Sequence, residues 1–155
     1  MERSAPIPSG LWFAGTKVLV RVRAADSGGR LGVWESEEPR GTALPLHVHT
    51  REDEQVLLLD GTIAFMVGDR VHRLGGGDTL ALPRGVPHAH LVTSERARIL
   101  TVATPGGFEQ LFLDLGASIL PGTAAPPLDT GAMAEAVAGL GVRIAGPPPA
   151  LDTAG

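Results

Sequence analysis

Short apolar runs, most of them ended by glycine, proline or Asp-Gly, follow one another through most of this sequence. Runs of about four to eight residues have the length of β-strands and are too short for most helices. The 21 glycines and 13 prolines supply the turns that many short strands need. The predicted strands are residues 17–23, 30–36, 55–59, 62–67, 70–74, 79–83, 88–93 and 97–103. Strands at this spacing indicate an all-β sandwich or barrel.

The segment after residue 104 has helical periodicity instead. Apolar side chains three and four positions apart indicate two helices, the first ending at Gly116 and the second beginning at Asp129 or Thr130. Their apolar faces are Phe108, Leu111, Phe112 and Leu115, followed by Met133, Val137 and Leu140. We therefore expect a small β-barrel with two short C-terminal helices packed outside it. The expected divisions are a flexible N-terminal arm (1–10), the barrel with its helices (11–145) and a proline-rich tail (146–155).

Charge and composition exclude several classes of partner. The formal net charge is −4, and the 13 lysines and arginines are scattered, which argues against a nucleic-acid partner. No apolar stretch reaches the roughly 20 residues of a membrane helix, and the N-terminus lacks the pattern of a signal peptide. We expect a cytoplasmic protein with no membrane contact. The absence of cysteine excludes thiolate metal ligands.

Three histidines and one glutamate stand at the spacing of metal ligands. His47 and His49 are two residues apart, so both imidazoles leave the same face of an extended strand. Glu54 follows a short polar stretch, and His88 arrives on a separate strand after two prolines and a glycine. Three neutral nitrogens and one carboxylate form a site for one divalent first-row metal: iron, nickel, manganese, cobalt, copper or zinc.

The two segments that carry these residues resemble the two signature motifs of the cupin family. The first reads G-x5-H-x-H-x4-E-x6-G from Gly41 to Gly61, and the second reads G-x5-P-x-G-x2-H from Gly77 to His88. One position departs from the pattern, because Val92 stands where the second motif usually ends in asparagine. The resemblance implies a jelly-roll β-barrel, and it implies a homodimer because cupins commonly dimerise. It also implies the metal ligands His47, His49, Glu54 and His88.

A hairpin closed by Asp60-Gly61 would extend the site into a pocket. In a two-residue hairpin Val56 lies opposite Phe65, and Glu54 shares their face of the sheet. A Glu54 that points inward therefore brings both apolar side chains with it. The pocket around the metal is predicted to be mostly apolar, which favours an apolar or aromatic small-molecule substrate over a sugar phosphate.

Two further histidines are candidates for the wall of this pocket. A second hairpin, with Gly68-Asp69 as its loop, would place His72 opposite Phe65. His90 follows His88 by two residues on one strand, so it would face inward as well. The predicted pocket residues are Val56, Phe65, His72 and His90.

The neighbouring acidic residues have simpler interpretations. Glu52 is an alternative to Glu54 as the metal-binding carboxylate, but its spacing fits the motif less well, and a solvated acidic turn accounts for it. Glu35, Glu37 and Glu38 are predicted to lie in a solvated loop.

These residues alone are compatible with more than one class of reaction. Glu54 can act as a metal ligand and as the general base that accepts a proton from a substrate hydroxyl. The resulting enolate or phenolate either reacts with oxygen, as in a dioxygenase, or is protonated elsewhere or cyclises, as in an isomerase, cyclase or lyase. The resemblance extends to small bacterial single-domain cupins that are compared with quercetin 2,3-dioxygenases. It implies a metal-dependent dioxygenase acting on a flavonol-like or other enolisable hydroxy-ketone. A non-catalytic small-molecule-binding cupin is the third alternative.

Overall fold

A computed structural model describes residues 10–150, which form two antiparallel β-sheets and two short helices. The strands are β1 (Leu11–Phe13), β2 (Thr16–Val22), β3 (Gly32–Pro39), β4 (Leu46–His49), β5 (Asp53–Asp60), β6 (Thr62–Val67), β7 (Arg70–Gly75), β8 (Thr79–Leu82), β9 (His88–Val92), β10 (Arg96–Thr104), β11 (Ala117–Ser118) and β12 (Val142–Gly146). The helices are α1 (Gln110–Leu115) and α2 (Thr130–Gly139), and a single 3-10 turn covers Ala24–Asp26.

The strands are arranged as a jelly roll. The large sheet has seven strands in the order β11-β1-β2-β3-β10-β5-β8, and the small sheet has five in the order β12-β4-β9-β6-β7. The predicted all-β jelly-roll class is confirmed. Within residues 10–150 the two sheets stay separate, as a sandwich, and do not close into the barrel that we expected.

The predicted hairpin at Asp60-Gly61 is wrong. β5 pairs with β10 and β8 in the large sheet, whereas β6 pairs with β7 and β9 in the small sheet. The chain therefore changes sheets at Gly61, where φ is +91° and an added Cβ would lie 2.3 Å from the carbonyl oxygen of Arg96. Val56 and Phe65 still share the core because they point at each other from opposite sheets. The second hairpin has the predicted register, with His72 opposite Phe65.

Apolar side chains fill the space between the sheets and beneath the helices. The centre of the sandwich is formed by Val56, Leu58, Ile63, Phe65, Leu74, Leu82, Val92, Ala97 and Ile99. At one end, Phe112 of α1 packs edge-on against Phe13 with ring centroids 5.0 Å apart, and Val137 of α2 joins the same cluster. Such burial is the main source of stability for two helices this short.

The ends of the helices are close to the predicted positions. Asp129 is the N-cap of α2, and its carboxylate accepts a hydrogen bond from the backbone N–H of Ala132 at 3.0 Å. Neither helix within residues 10–150 is long and apolar enough to cross a membrane. The predicted N-terminal arm, apart from residue 10, and the last five residues of the predicted tail lie outside the described residues.

Candidate metal site and its cavity

The four predicted ligands come together between the two sheets. His47 and His49 lie on β4, and His88 lies directly opposite His47 on β9 of the same sheet. Glu54 approaches from β5 of the large sheet, where it pairs with Leu82 and Ala103. All four side chains are buried. The cluster therefore depends on the packing of one sheet over the other.

The distances within the cluster are short enough for a shared ligand. The ring centroids of His47 and His88 are 4.4 Å apart, and each lies 5.1–5.3 Å from the ring of His49. One nitrogen from each of these three rings lies within 4.8 Å of the others. Oε1 of Glu54 lies 2.7 Å from Nε2 of His49.

Hydrogen bonds fix the orientation of all three imidazole rings. Nδ1 of His47 donates to the carbonyl oxygen of Pro45 at 2.6 Å, and Nδ1 of His88 lies 3.4 Å from the carbonyl oxygen of Val86. Nδ1 of His49 is hydrogen-bonded to the carboxylate of Glu52. With Nδ1 engaged in this way, Nε2 is the nitrogen left to bind a metal. Outer partners of this kind are the usual support of metal-binding histidines.

The electrostatic environment of His49 differs from that of the other two histidines, and its pKa is shifted in the opposite direction. Burial lowers the pKa of His47, and burial together with His47 lowers the pKa of His88 to about 4. Both rings are thus neutral at pH 7 and carry a free lone pair. Burial also opposes the charged form of His49, but the carboxylates of Glu52 and Glu54 raise its pKa to about 9.

The carboxylate of Glu54 is buried, and one of its oxygens has no hydrogen-bond partner. Burial raises its pKa, but the neighbouring histidines, His49 first, outweigh this and hold the pKa below its usual value. Oε1 is buried without a hydrogen-bond partner, because its 2.7 Å contact with His49 lacks hydrogen-bond geometry. A proton or a metal cation beside Oε1 would satisfy it. Three imidazole nitrogens and this carboxylate are a donor set that fits a divalent first-row metal.

The cluster opens into a small cavity with a volume of about 80 Å³. Three of the four predicted pocket residues, Val56, Phe65 and His90, line it. His72 does not line this cavity, although it has the predicted register opposite Phe65 and is half-buried.

Glu38 is the main residue of the cavity that the sequence interpretation missed. It is not in a solvated loop, because β3 continues to Pro39 and buries Trp34, Ser36 and Glu38 on one face. The Glu38 carboxylate accepts hydrogen bonds from Ser36 Oγ at 2.9 Å and from His90 Nε2 at 2.8 Å. The alternation that begins at Trp34 was the available signal.

Glu52 was also misinterpreted as part of a solvated turn. Its side chain is buried and holds Nδ1 of His49. Glu52, His49 and Glu54 also offer ligand atoms within 4.8 Å of one another. The carboxylates of Glu52 and Glu54 therefore lie on the two nitrogens of one imidazole ring. Of these two carboxylates, Glu54 lines the cavity together with the three histidines, and Glu52 does not.

Known proteins resemble this chain in sequence and in fold. Residues 34–103 match the family model described as the cupin domain. A quercetin 2,3-dioxygenase of Bacillus subtilis (strain 168) is 32% identical over 77 residues, which are 50% of this chain. The match covers only 23% of the length of that relative.

Three solved structures share the fold at lower identity. A protein from Thermotoga maritima described as a predicted oxalate decarboxylase has a TM-score of 0.59 and 18% identity, over 66% of this chain and 96% of that one. KdgF from Halomonas sp. has a TM-score of 0.56 and 17% identity, over 62% of this chain and 84% of that one. The polyketide cyclase RemF from Streptomyces resistomycificus has a TM-score of 0.52 and 23% identity, over 64% of this chain and 70% of that one. At these identities the likeness concerns the fold alone. The family match, the two motifs and the jelly-roll sandwich together identify residues 34–103 as a cupin domain.

Proposed function

We propose that this protein is a metal-dependent dioxygenase that acts on a flavonol-like or other enolisable hydroxy-ketone. The observation that carries the proposal is the buried Glu54 carboxylate, whose Oε1 lacks a hydrogen bond and lies 2.7 Å from Nε2 of His49, in a cavity that His47 and His88 also line. The Bacillus subtilis relative described as a quercetin 2,3-dioxygenase supports this class of substrate.

Each of the clustered residues has a role in this proposal. His47, His49, His88 and Glu54 would hold one divalent metal. The bound metal would supply Lewis-acid chemistry, which lowers the pKa of a substrate hydroxyl. Pro45, Glu52 and Val86 orient the three rings through Nδ1.

Glu54 acts as the general base. Its lowered pKa keeps it a carboxylate at neutral pH. The Glu54 carboxylate, which lines the cavity, accepts the proton of the substrate's enolic hydroxyl, and the substrate becomes an electron-rich enolate. Dioxygen, the co-substrate, oxidises the enolate, and both oxygen atoms enter the products.

The apolar wall protects the enolate. Val56, Phe65 and Ile99 line the cavity beside the acidic and imidazole groups. A wall of this kind excludes water, which would otherwise return a proton to the enolate. The small volume of the cavity near Glu54 leaves room for the reacting end of a substrate only.

The test combines metal analysis with oxygen uptake. Elemental analysis of the purified protein should find one iron, nickel, manganese, cobalt, copper or zinc ion per chain. Adding a flavonol should then start oxygen consumption, and Glu54→Gln should lower kcat by about a hundredfold or more, because one positioned base contributes that much. Glu135→Gln, on the exposed side of α2, is the matched control and should keep full activity. A metal-loaded protein that consumes no oxygen with flavonols or related enediols would exclude the dioxygenase.

The isomerase, cyclase or lyase alternative is favoured by one observation. Glu38 is a second buried carboxylate in the cavity, separate from the candidate ligands, and a second group of this kind can bind or return a proton at another position of the substrate. Conversion of the substrate under anaerobic conditions would support this alternative. If the protein binds metal but converts no substrate with or without oxygen, the non-catalytic small-molecule-binding cupin is the alternative that stands.

A further inference from the structure

A second, larger cavity lies between the helices and the sandwich. Its volume is about 360 Å³, within the range of roughly 300–1,000 Å³ that is usual for small-molecule sites. Its wall is mostly apolar and includes Phe13, Leu111, Phe112, Met133 and Val137. Among the described residues that line it, there is no lysine or arginine. The cavity therefore suits an uncharged, apolar molecule.

This apolar cavity adjoins the metal-site cavity. Five residues line both spaces: Ser36, Glu38, Leu44, His47 and Phe108. One of them, His47, is a candidate metal ligand, so a molecule in the apolar cavity lies next to the cluster. The ring of Phe108 lies 4.8 Å from the ring of His49 at an angle of 71°, and 5.8 Å from the ring of Phe112. The ring of Phe108 therefore stands at the boundary between the two spaces.

Glu38 is the one carboxylate at this junction. It receives one hydrogen bond on each oxygen, from Ser36 and from His90. A carboxylate has about four acceptor positions on its two oxygens, so Glu38 can accept at least one more donor. A charged acceptor in apolar surroundings forms a strong hydrogen bond and penalises a ligand that cannot supply the donor.

We infer that the apolar cavity binds the aromatic body of the substrate and that Glu38 accepts a hydrogen bond from a substrate hydroxyl at the junction. This inference rests on the proposed function for the reaction that follows, but it concerns binding alone. Glu38 is then a specificity-determining residue, and α1 and α2 form one wall of the substrate site. The class of substrate is an aromatic alcohol or phenol without phosphate or carboxylate groups.

The location of the site is tested by filling the cavity. Ala134 on α2 lines the apolar cavity and is exposed, so Ala134→Trp should block the cavity without disturbing the core. Ala138→Trp is the matched control, since Ala138 is exposed on the same helix and does not line the cavity. We expect 2-naphthol to bind the metal-loaded Ala138→Trp protein as it binds the unchanged protein, and to bind Ala134→Trp at least tenfold more weakly, measured by calorimetry. Equal binding to both variants would overturn the location.

The role of Glu38 is tested with a pair of ligands. The methyl ether of 2-naphthol has the same aromatic body and cannot donate a hydrogen bond. The unchanged protein should prefer 2-naphthol by about tenfold, the usual worth of one hydrogen bond to a charged group. Glu38→Gln should narrow this preference and leave the affinity for the ether nearly unchanged. Ser36→Ala frees one acceptor position and should keep the preference. If Glu38→Gln retains the full preference, Glu38 does not recognise the hydroxyl.

The outcomes separate this inference from the proposed function. Selective binding of 2-naphthol without oxygen uptake on flavonols would support the site and exclude the dioxygenase. Oxygen uptake that is unaffected by Ala134→Trp and Glu38→Gln would support the dioxygenase and overturn the substrate site. Failure of the unchanged protein to bind either naphthalene derivative would overturn the inferred class of substrate.

Discussion

At the scale of single residues, His49 connects the acidic groups of the site to its imidazoles. One of its nitrogens contacts Glu52 and the other lies 2.7 Å from Glu54. In the metal-free protein a second proton on this ring balances the two carboxylates, which is why they raise the pKa of His49 to about 9. A metal would replace that proton on Nε2, while Glu52 keeps the proton on Nδ1. The site is therefore arranged to exchange one proton for a metal cation.

The first prediction concerns Glu52, which orients His49 without occupying the centre of the cluster. Glu52→Gln keeps the size of the side chain and removes its charge, so the imidazole becomes less basic and less firmly oriented. We expect the dissociation constant for zinc or manganese to rise by about ten- to a hundredfold, as is typical when an outer carboxylate is lost. Competition with a chromophoric chelator would measure it.

Two comparisons make that measurement decisive. Glu135→Gln changes the net charge by the same amount at an exposed position and should leave the dissociation constant unchanged. Glu54→Gln removes a candidate ligand and should weaken binding more than Glu52→Gln does. An effect of Glu52→Gln equal to that of Glu54→Gln would mean that Glu52 is itself a ligand.

At the scale of elements, the sequence predicts strands and turns between neighbouring residues more reliably than it predicts the pairing of distant strands. The strand β6, the turn at Gly68 and the register of β7 follow from residues close in sequence, and they agree with the structure. Whether β5 continues into a hairpin or crosses to the other sheet depends on partners elsewhere in the chain, chiefly β10 and β9. Asp60-Gly61 permits either course, so the turn residues did not distinguish them.

The same limit applies to the candidate site. His47, His49, Glu54 and His88 line one cavity, and the spacing of the two motifs was enough to single out all four residues in the sequence. Glu38 was missed because its burial depends on a facing sheet that supplies His90. A charged residue at the end of a predicted strand is usually solvated, and only the three-dimensional packing provides it with a partner.

The second prediction belongs to the link between α1 and the strands. Glu109, which directly precedes α1, is buried, and its carboxylate accepts hydrogen bonds from the backbone N–H groups of Ala24 and Gly107. It also lies against Gly32, where an added Cβ would be 2.1 Å from Oε2. This side chain connects three segments that are distant in sequence and holds α1 over the cavities.

Glu109→Ala should lower the free energy of unfolding by about 3 kcal/mol, because two partly buried N–H groups lose a charged acceptor. Urea unfolding followed by tryptophan fluorescence would measure it. Gln110→Ala, at the next position and exposed, loses only a surface hydrogen bond to Asp114 and should cost less than about 1 kcal/mol. Similar losses in the two variants would show that Glu109 does not hold these segments together.

At the scale of the whole molecule, the packing of the two sheets makes stability depend on pH. Their contact buries His47 and His88 as neutral groups, and burial lowers the pKa of both. The unfolded chain binds protons at these residues near pH 6.5, whereas folded His88 does so only near pH 4. Acid therefore favours the unfolded state in the interval between these values. His49 acts in the opposite direction, since its raised pKa contributes stability that is nearly complete below pH 6.5 and is lost towards pH 9.

The third prediction follows for the metal-free protein, prepared with a chelator. Between pH 6.5 and pH 5, above the ordinary pKa values of carboxylates, protonation of His88 in the unfolded chain should lower the free energy of unfolding by about 2 kcal/mol. Urea unfolding at a series of pH values would measure how the free energy of unfolding changes with pH. His88→Gln should remove this part of the pH dependence and leave the part that buried His47 contributes, and His72→Gln, outside the metal-site cavity, should preserve both parts. If His88→Gln loses as much stability between pH 6.5 and pH 5 as the unchanged protein does, His88 is not held neutral by the sheets around it.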